Sequence, residues 1–135
     1  PKVGGPKAVE LVAALLDRLE DRCGRPRGSV AIMPLIETAE GLLNVANTAR
    51  APRVWCLQLG EIDLAADLGL EPSSDELELL YPRTAVVVAS TAAAVHPPVG
   101  SVSVGILDLP AFERSSRRLR ALGFGARAAS DLRHG

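Results

Sequence analysis

The sequence predicts an α/β fold in which parallel strands alternate with helices, and three observations support this. The apolar residues switch repeatedly between the three- and four-residue steps of a helix and continuous runs. Two of these runs, at 29–37 and 53–60, are short and apolar on both faces, as in strands of a parallel sheet. Glycines, prolines and capping residues separate the segments. This alternation is typical of a parallel sheet packed against helices.

The first half of the chain predicts two helices and two strands. An amphipathic helix covers about 6–22 and ends at Gly24 and Pro26. The strand at 29–37 leads to Thr38, which predicts the N-cap of a second helix. The apolar stripe of the first helix consists of Ala8, Leu11, Val12, Leu15, Leu16 and Leu19. The apolar side of the second consists of Leu42, Leu43, Val45, Ala46 and Ala49.

A largely helical region follows the second strand, which is the run at 53–60. A short helical stretch is predicted at 64–70. Ser73 and Glu76 have the spacing of a capping box, which predicts the start of a long helical region. We expect this region to end near Val95 and to be divided or kinked at Pro82.

The last part of the chain predicts a strand, a helix and a weak strand. A loop at 96–98 precedes the third strand at 101–109. Asp108 and Pro110 fit the N-cap and the first-turn proline of the helix. A weak fourth strand is predicted at 123–129. The helix is predicted to turn Phe112, Leu119 and Leu122 inward and Arg114, Arg117, Arg118 and Arg120 mostly outward.

Two architectures fit this order of elements. A doubly wound sheet can be complete within 135 residues. A (β/α)8 barrel, or TIM barrel, needs about 250 residues, so this chain would hold only its second half. The periodicity does not decide between them. In either case we expect one domain over residues 1–135.

Composition excludes several classes of protein. The chain is 47% hydrophobic with a net charge of -1, which excludes intrinsic disorder. It has no apolar run of membrane-spanning length and no visible secretory signal. The near-neutral charge and four aromatic residues argue against a nucleic-acid surface. Two cysteines, Cys23 and Cys56, fit small core residues of a protein in the reducing cytoplasm. We therefore expect a soluble cytoplasmic domain.

Acidic residues follow the predicted strands, at the edge where parallel α/β folds bind ligands. Glu37 follows the first strand, Asp63 the second and Asp108 the third. Magnesium prefers oxygen ligands and typically binds one or two carboxylates. Glu37 and Asp63, with Gly60 allowing a close backbone approach, therefore make a candidate Mg²⁺ site.

Simpler explanations compete with a ligand role for these residues. An acid at the start of a helix is stabilised by capping and by the helix dipole, and Asp108 is interpreted as such a cap. For the pair Glu37 and Asp63, spacing alone leaves capping and metal binding equally open. His96 and His134 have no partners at metal or catalytic spacing and are interpreted as surface residues.

The same segments resemble the citrate lyase beta-subunit and malyl-CoA lyase-like group of the HpcH/HpaI aldolase superfamily. The most specific match is "IET" followed by "GxxDL", which contains Glu37 and Asp63. The matching segments are "PKV" (1–3), "PLIETAEGLLN" (34–44), "LGEIDLAADLG" (59–69), "YPRTAVVVAS" (81–90), "VSVGILDLPAF" (102–112) and "LGFGARA" (122–128).

The resemblance implies a TIM barrel and a metal-dependent lyase. Glu37 and Asp63 would be the two Mg²⁺ ligands at the ends of the fifth and sixth strands, with Glu37 also at the substrate. Lys2 would end the fourth strand close to the pocket. Family members cleave or form a carbon–carbon bond between an acyl-CoA and a small oxo acid. Oligomers, as trimers or hexamers, also follow only from the resemblance.

The chain departs from the family pattern in three places. The first four strands, with a substrate-binding arginine, have no counterpart after Pro1. Gly100 stands where the family has aspartate, and "GARAASD" (125–131) replaces "GKxxIHP". These departures leave two alternatives: a catalytically inactive or regulatory relative of the family, and a small doubly wound binding module.

Overall fold

The computed structural model describes residues 2–71, 73–102 and 108–129, and in these residues helices alternate with parallel strands. The predicted α/β class is therefore confirmed. Within the described residues, no helix combines the length and apolarity of a membrane span. The elements are α1 (Pro6–Arg22), β1 (Leu35–Ile36), α2 (Ala39–Leu43), α3 (Val45–Ala49), β2 (Cys56–Leu59), α4 (Glu61–Leu68), a 3-10 helix (Leu77–Leu79), α5 (Leu80–Ala92), β3 (His96–Gly100), α6 (Leu109–Leu122) and β4 (Ala126–Arg127).

The four strands form one parallel sheet in the order β1-β2-β3-β4. Leu35 pairs with Gln58, and Val99 pairs with both Gln58 and Ala126. A doubly wound sheet reverses its strand order at a switch point. The sheet formed by the described residues runs in chain order without such a reversal. Right-handed crossovers that all run in one direction place the connecting helices on one face of the sheet. The strand order therefore does not favour the doubly wound alternative.

Local signals in the sequence explain the ends of several helices. Proline at position 6 opens α1, where its missing N–H costs nothing, and Gly24 after α1 has φ +64°. The hydroxyl of Thr38 accepts the backbone N–H of Gly41 and caps α2, as predicted. The carboxylate of Asp108 accepts the N–H of Ala111 at 2.9 Å, so its interpretation as a cap is confirmed.

The core lies between β2 and the helices. The adjacent residues Cys56 and Leu57 lie on opposite faces of β2 and are both buried, as expected of a strand covered on both faces. Burial raises the pKa of the Cys56 thiol. Cys23 is exposed, and its prediction as a core residue is wrong because it follows the last turn of α1.

The apolar stripe of α1 does not face the core. The buried residues of this helix are Val9, Ala13 and Glu20, whereas Leu11 is 74% exposed and Leu15 is 53% exposed. Val12 and Leu19 of the same stripe are also exposed. An exposed stripe of this kind on a helix indicates a surface that another element covers.

A charged cluster fixes this orientation of α1. The guanidinium of Arg53 donates to the carboxylates of Glu20 and Asp17. The backbone N–H groups of Gly28 and Val30 donate to Glu20 at 2.8 and 2.9 Å. The hydrogen bond from Arg53 chiefly, helped by these two N–H groups, lowers the pKa of Glu20 to about 2 against the effect of burial. The polar face of α1 is therefore tied to the loop before β1, and the apolar stripe remains outside.

The third strand lies earlier than predicted. It covers His96–Gly100, the segment predicted as a loop because of its two prolines, and not 101–109. Proline has no N–H to donate to a neighbouring strand. The strand is nevertheless paired, because the N–H of His96 donates to one neighbour and the carbonyl of Pro98 accepts from the other. Its register with β2 is irregular at this point. Residues 103–107 of the predicted strand lie outside the described residues.

The predicted capping box is also wrong. Ser73 donates hydrogen bonds to Glu78 through its N–H and its hydroxyl. Glu76 has φ +56°, and its carboxylate accepts from Arg83 and Ser115 instead of from Ser73. The predicted division of the helical region occurs before Pro82, between the 3-10 helix that ends at Leu79 and α5 that begins at Leu80, and Pro82 lies in the first turn of α5. In this turn a proline removes no helical hydrogen bond. The weak strand predicted at 123–129 is confirmed as β4.

Candidate metal and active site

Glu37 lies at the carboxyl end of β1, directly against the turn that follows β2. The N–H of Gly60 donates to the carbonyl of Ile36 at 2.8 Å, which holds the two strand ends together. A Cβ atom at Gly60 would lie 2.8 Å from the Cβ of Glu37 and 3.2 Å from its Oε2. Only glycine leaves room for this carboxylate, so the predicted close approach is confirmed. Glu37 itself is buried, with 9% of its surface exposed.

Asp63 lies in the first turn of α4, three residues after Gly60. Its carboxylate is largely exposed, and Lys2 Nζ lies 3.5 Å from Oδ1. Lys2 is in no strand of the described residues, so its place at the end of a fourth strand stays a prediction, and the structure places its ammonium beside Asp63. The structure therefore places a buried carboxylate, Glu37, at the end of β1, and an exposed carboxylate in contact with an ammonium group, Asp63 with Lys2, in the turn of helix that follows β2.

The donor set at this edge of the sheet fits a magnesium ion with few protein ligands. Glu37 and Asp63 follow neighbouring strands, and both offer carboxylate oxygen, the ligand that Mg²⁺ prefers. In the part of the chain that the structure describes, no cluster of three or more His, Cys, Asp or Glu side chains is placed to hold a metal. Two carboxylates leave the remaining positions of an octahedral ion for water and substrate oxygens.

Helix α4, which carries Asp63, is anchored at its first residue. The N–H of Glu61 donates to the hydroxyl of Ser101, at the end of β3, at 3.2 Å. The carboxylate of Glu61 accepts two hydrogen bonds from Arg83 of α5, at 2.6 and 3.1 Å. This bidentate pair is almost completely buried. It ties the start of α4 to the helix layer.

Arg83 also reaches Glu76, which completes a buried cluster. Its Nη1 lies 2.8 Å from Glu76 Oε2, and Ser115 donates to Glu76 Oε1 at 2.7 Å. Burial alone would raise the pKa of Glu76, but the bonds from Arg83 and Ser115 outweigh it and lower that pKa. Burial likewise works against the charged form of Arg83, yet Glu61 and Glu76 raise its pKa. Glu76 and Arg83 are therefore both charged at neutral pH.

A cavity of about 370 Å³ adjoins this cluster at the carboxyl end of β3. Its lining includes Glu61, Ser101, Asp108 and Arg127. Arg127 donates to the carbonyl of Ser101 at 3.0 Å and lies over the ring of Phe112, and burial lowers the pKa of its guanidinium. This arginine is therefore held by contacts within the protein.

Gly100 does not remove an acid from the strand-end site. A Cβ atom at this position would lie 2.6 Å from Leu119 Cδ1, on the side of the sheet covered by α6. A side chain there would meet the helix layer, so this departure from the family pattern gives no support to an inactive relative. His96 is exposed, as expected for a surface residue, and its ring packs on Trp55, whereas His134 lies outside the described residues.

Sequence reasoning missed the cluster of Glu61, Glu76 and Arg83. The available signal was that Arg83 is the one charged residue in the 13-residue sequence of α5. A lone charge in an otherwise apolar helix requires a partner, but the sequence does not say which acid supplies it.

Comparison with known proteins agrees with this architecture. The model of the HpcH/HpaI aldolase/citrate lyase family matches residues 1–131. The citrate lyase subunit beta of Leuconostoc mesenteroides subsp. cremoris is 29% identical over 129 residues, which cover 95% of this chain and 42% of that protein. The corresponding subunit of Escherichia coli (strain K12) is 27% identical over 112 residues, which cover 82% and 37%. The chain thus spans about two fifths of the length of these curated relatives.

Solved structures show the same similarity. RipC from Yersinia pestis has a TM-score of 0.73 at 26% identity, covering 89% of this chain and 54% of that chain. The citrate lyase beta subunit of Mycobacterium tuberculosis, complexed with oxaloacetate and magnesium, has a TM-score of 0.68 at 25% identity, covering 88% and 52%. Together with the match over residues 1–131, these findings show that the chain belongs to the HpcH/HpaI aldolase/citrate lyase family.

Proposed function

We propose that this chain is part of a magnesium-dependent carbon–carbon lyase of the citryl-CoA or malyl-CoA lyase type. The observation that carries the proposal is the meeting of Glu37 and the first turn of α4 at Gly60, on neighbouring strand ends. Support comes from the family and from a relative whose structure contains oxaloacetate and magnesium. The substrates would be an acyl-CoA and a small oxo acid. Two unpaired cysteines support a reducing cytoplasm as its location.

Different residues of this chain would bind the metal, contact the substrate and supply positive charge at the site. Glu37 and Asp63 would hold Mg²⁺, and Glu37 would lie beside the bound oxo acid. When bound, the metal would polarise the carbonyl of the oxo acid as a Lewis acid. Gly60 keeps the space beside the Glu37 carboxylate open. Lys2 contacts Asp63 and would bring a positive charge to the edge where an anionic substrate binds.

Mn²⁺ prefers the same oxygen ligands as Mg²⁺. We expect Mn²⁺ to bind the wild-type chain and to bind two variants much more weakly. Glu37→Gln and Asp63→Asn each replace a carboxylate with an amide of the same shape. Each should weaken binding by about 100-fold or more, since losing even a supporting group typically costs 10–100-fold. The fraction of free Mn²⁺ in a titration followed by electron paramagnetic resonance measures this effect.

The matched control is Glu40→Gln, which removes an acid from the first turn of α2 outside the proposed ligand pair. It should leave Mn²⁺ affinity within about twofold of wild type, because exposed charges are screened by salt. Equal Mn²⁺ affinity in the wild type, Glu37→Gln and Asp63→Asn would contradict the proposed site.

We further propose that the chain forms the second half of a TIM barrel. The strands run in chain order without a reversal in the described sheet, as successive barrel strands do. The chain covers about half of the solved relatives, 54% of one and 52% of another. Such a half exposes β1 and β4 as open edges, which favour pairing with another chain.

The exposed stripe of α1 supports this proposal. Leu11, Leu15 and Leu19 recur at four-residue steps and are all exposed, on the helix that precedes edge strand β1. In a closed barrel, a neighbouring helix would cover a stripe in this position. For residues 1–135 alone, the partner available to cover it is a second copy.

Residues 1–135 are therefore expected to self-associate in sedimentation velocity. Leu11→Glu combined with Leu15→Glu should shift the protein toward monomer, because two charges cannot be buried unpaired in an apolar contact. The control, Leu43→Glu, changes a leucine of α2 that is 81% exposed and lies outside the stripe. A monomeric wild type with one cooperative melting transition would count against the half-barrel proposal.

A further inference from the structure

We propose that Asp67 is a positioning residue that sets the relation between Glu37 and Asp63. This inference rests on the proposed magnesium site. Asp67 Oδ2 accepts a hydrogen bond from the backbone N–H of Ala39 at 2.7 Å. Ala39 lies two residues after Glu37, and Asp67 lies four residues after Asp63 on α4. One hydrogen bond thus joins the two segments that carry the proposed ligands.

The bond from Ala39 is separate from the normal capping of α2. Thr38 already caps this helix by accepting the N–H of Gly41. The N–H of Ala39, at the first position of α2, has no partner within its own helix and needs one from elsewhere. Asp67 supplies it from α4, 28 residues away along the chain. The contact therefore connects two elements and does more than complete the end of one.

The position of Asp63 depends on how α4 is held, because its side chain has little support of its own. The carboxylate of Asp63 is largely exposed, and its contact among the described residues is Lys2 at 3.5 Å. Residues four apart lie on one face of a helix, so Asp67 and Asp63 share a face. Fixing Asp67 against Ala39 fixes the rotation of this face relative to Glu37.

Two other contacts hold the opposite end of α4. Glu61, its first residue, is bound by Ser101 and Arg83. These contacts hold the first residue of α4 in position. The hydrogen bond of Asp67 holds the later residues of α4 against the segment that follows β1. Without Asp67, α4 can rotate about its anchored start and move Asp63 relative to Glu37.

The test compares Mn²⁺ affinity in three chains that differ at position 67. Asp67→Ala should weaken Mn²⁺ binding about tenfold, as loss of a group that orients a ligand typically does. Asp67→Asn should retain nearly wild-type affinity, because its amide oxygen accepts the same hydrogen bond. Hydrogen exchange at the Ala39 amide should be faster in Asp67→Ala and unchanged in Asp67→Asn.

Asp108→Ala is the matched control, since it also removes a carboxylate that accepts an N–H at the start of a helix. It should lower stability similarly and leave Mn²⁺ affinity unchanged. Equal affinity in wild type and Asp67→Ala would overturn the inference, and so would an equal loss in Asp67→Asn. Failure of the wild type to bind Mn²⁺ would overturn the magnesium site itself, so the two failures are distinguishable.

Discussion

Residues 1–135 alone are expected to release no measurable acetyl-CoA from citryl-CoA or malyl-CoA in the presence of Mg²⁺. Lysis of the carbon–carbon bond needs three roles beyond substrate binding. A metal polarises the carbonyl, a cation positions the substrate carboxylate, and a further group moves a proton at the thioester carbon. Glu37 and Asp63 would supply the metal, but a cation suited to the second role needs the bidentate geometry of arginine.

Arg83, Arg127 and the arginines of α6 are not placed for this second role. Arg83 is buried between Glu61 and Glu76, and Arg127 is bound to the carbonyl of Ser101. Arg114, Arg117, Arg118 and Arg120 are exposed on α6, as the sequence predicts. Lys2 lies near the site, but its ammonium is a single exposed point charge that contacts Asp63. The missing roles would come from the other half of the barrel.

The assay is acetyl-CoA release from each substrate, followed over time and with Mg²⁺ varied. The comparison is a longer chain in which the remaining strands of the barrel precede residue 1. That longer chain should turn over substrate, and Glu37→Gln within it should abolish turnover. Metal-dependent turnover by residues 1–135 alone would show that the assignment of missing roles is wrong.

The sequence predicts the elements of this fold better than their packing. The bounds of α1 follow from Pro6 and Gly24, because these residues act on the backbone locally. The exposure of Leu11 does not follow, since periodicity shows which residues favour burial and not which partner covers them. The position of β3 was predicted wrongly because Pro97 and Pro98 indicate a loop, whereas the sheet needs no N–H from either at this point.

The candidate site, like the fold, is predicted only in part by the sequence. Glu37 and Asp63 are predicted as a pair because each follows a strand of its own, and the ends of parallel strands meet at one edge. The bond of Asp67 to Ala39 and the pairing of Arg83 with Glu61 join residues 28 and 22 positions apart. Such pairings arise from the packing of helices on the sheet, so no local sequence pattern predicts them.

Replacing Arg83 is expected to destabilise the fold more than any other change of a charged residue considered above. Arg83→Met keeps a long apolar stem but leaves Glu61 and Glu76 without their shared cation. The side chain of Arg83 is 2% exposed and that of Glu61 10%, so water cannot replace the lost bonds. Removing one partner of a buried ion pair typically costs about 3–5 kcal/mol. Chemical denaturation with urea measures this loss.

The matched control is Arg117→Met on α6. Arg117 also pairs with a glutamate, Glu113, but across one turn of a helix and with both side chains exposed. Exposed pairs of this type contribute little to stability, so the unfolding midpoint should barely move. An equal effect of the two substitutions would show that the cluster around Arg83 is not a buried charge network.

A second substitution separates lost charge pairing from lost packing. If the cost of Arg83→Met comes chiefly from the uncompensated carboxylate of Glu61, then adding Glu61→Gln should recover part of it, because that buried negative charge is removed. Glu76 keeps Arg118, which lies 3.5 Å away, as a second cation. If the cost comes from packing alone, adding Glu61→Gln should lower stability further. Because Glu61 is the first residue of α4, Arg83→Met should also weaken Mn²⁺ binding through Asp63, whereas Arg117→Met should not. The network around Arg83 would thereby link the stability of the helix layer to the geometry of the strand-end site.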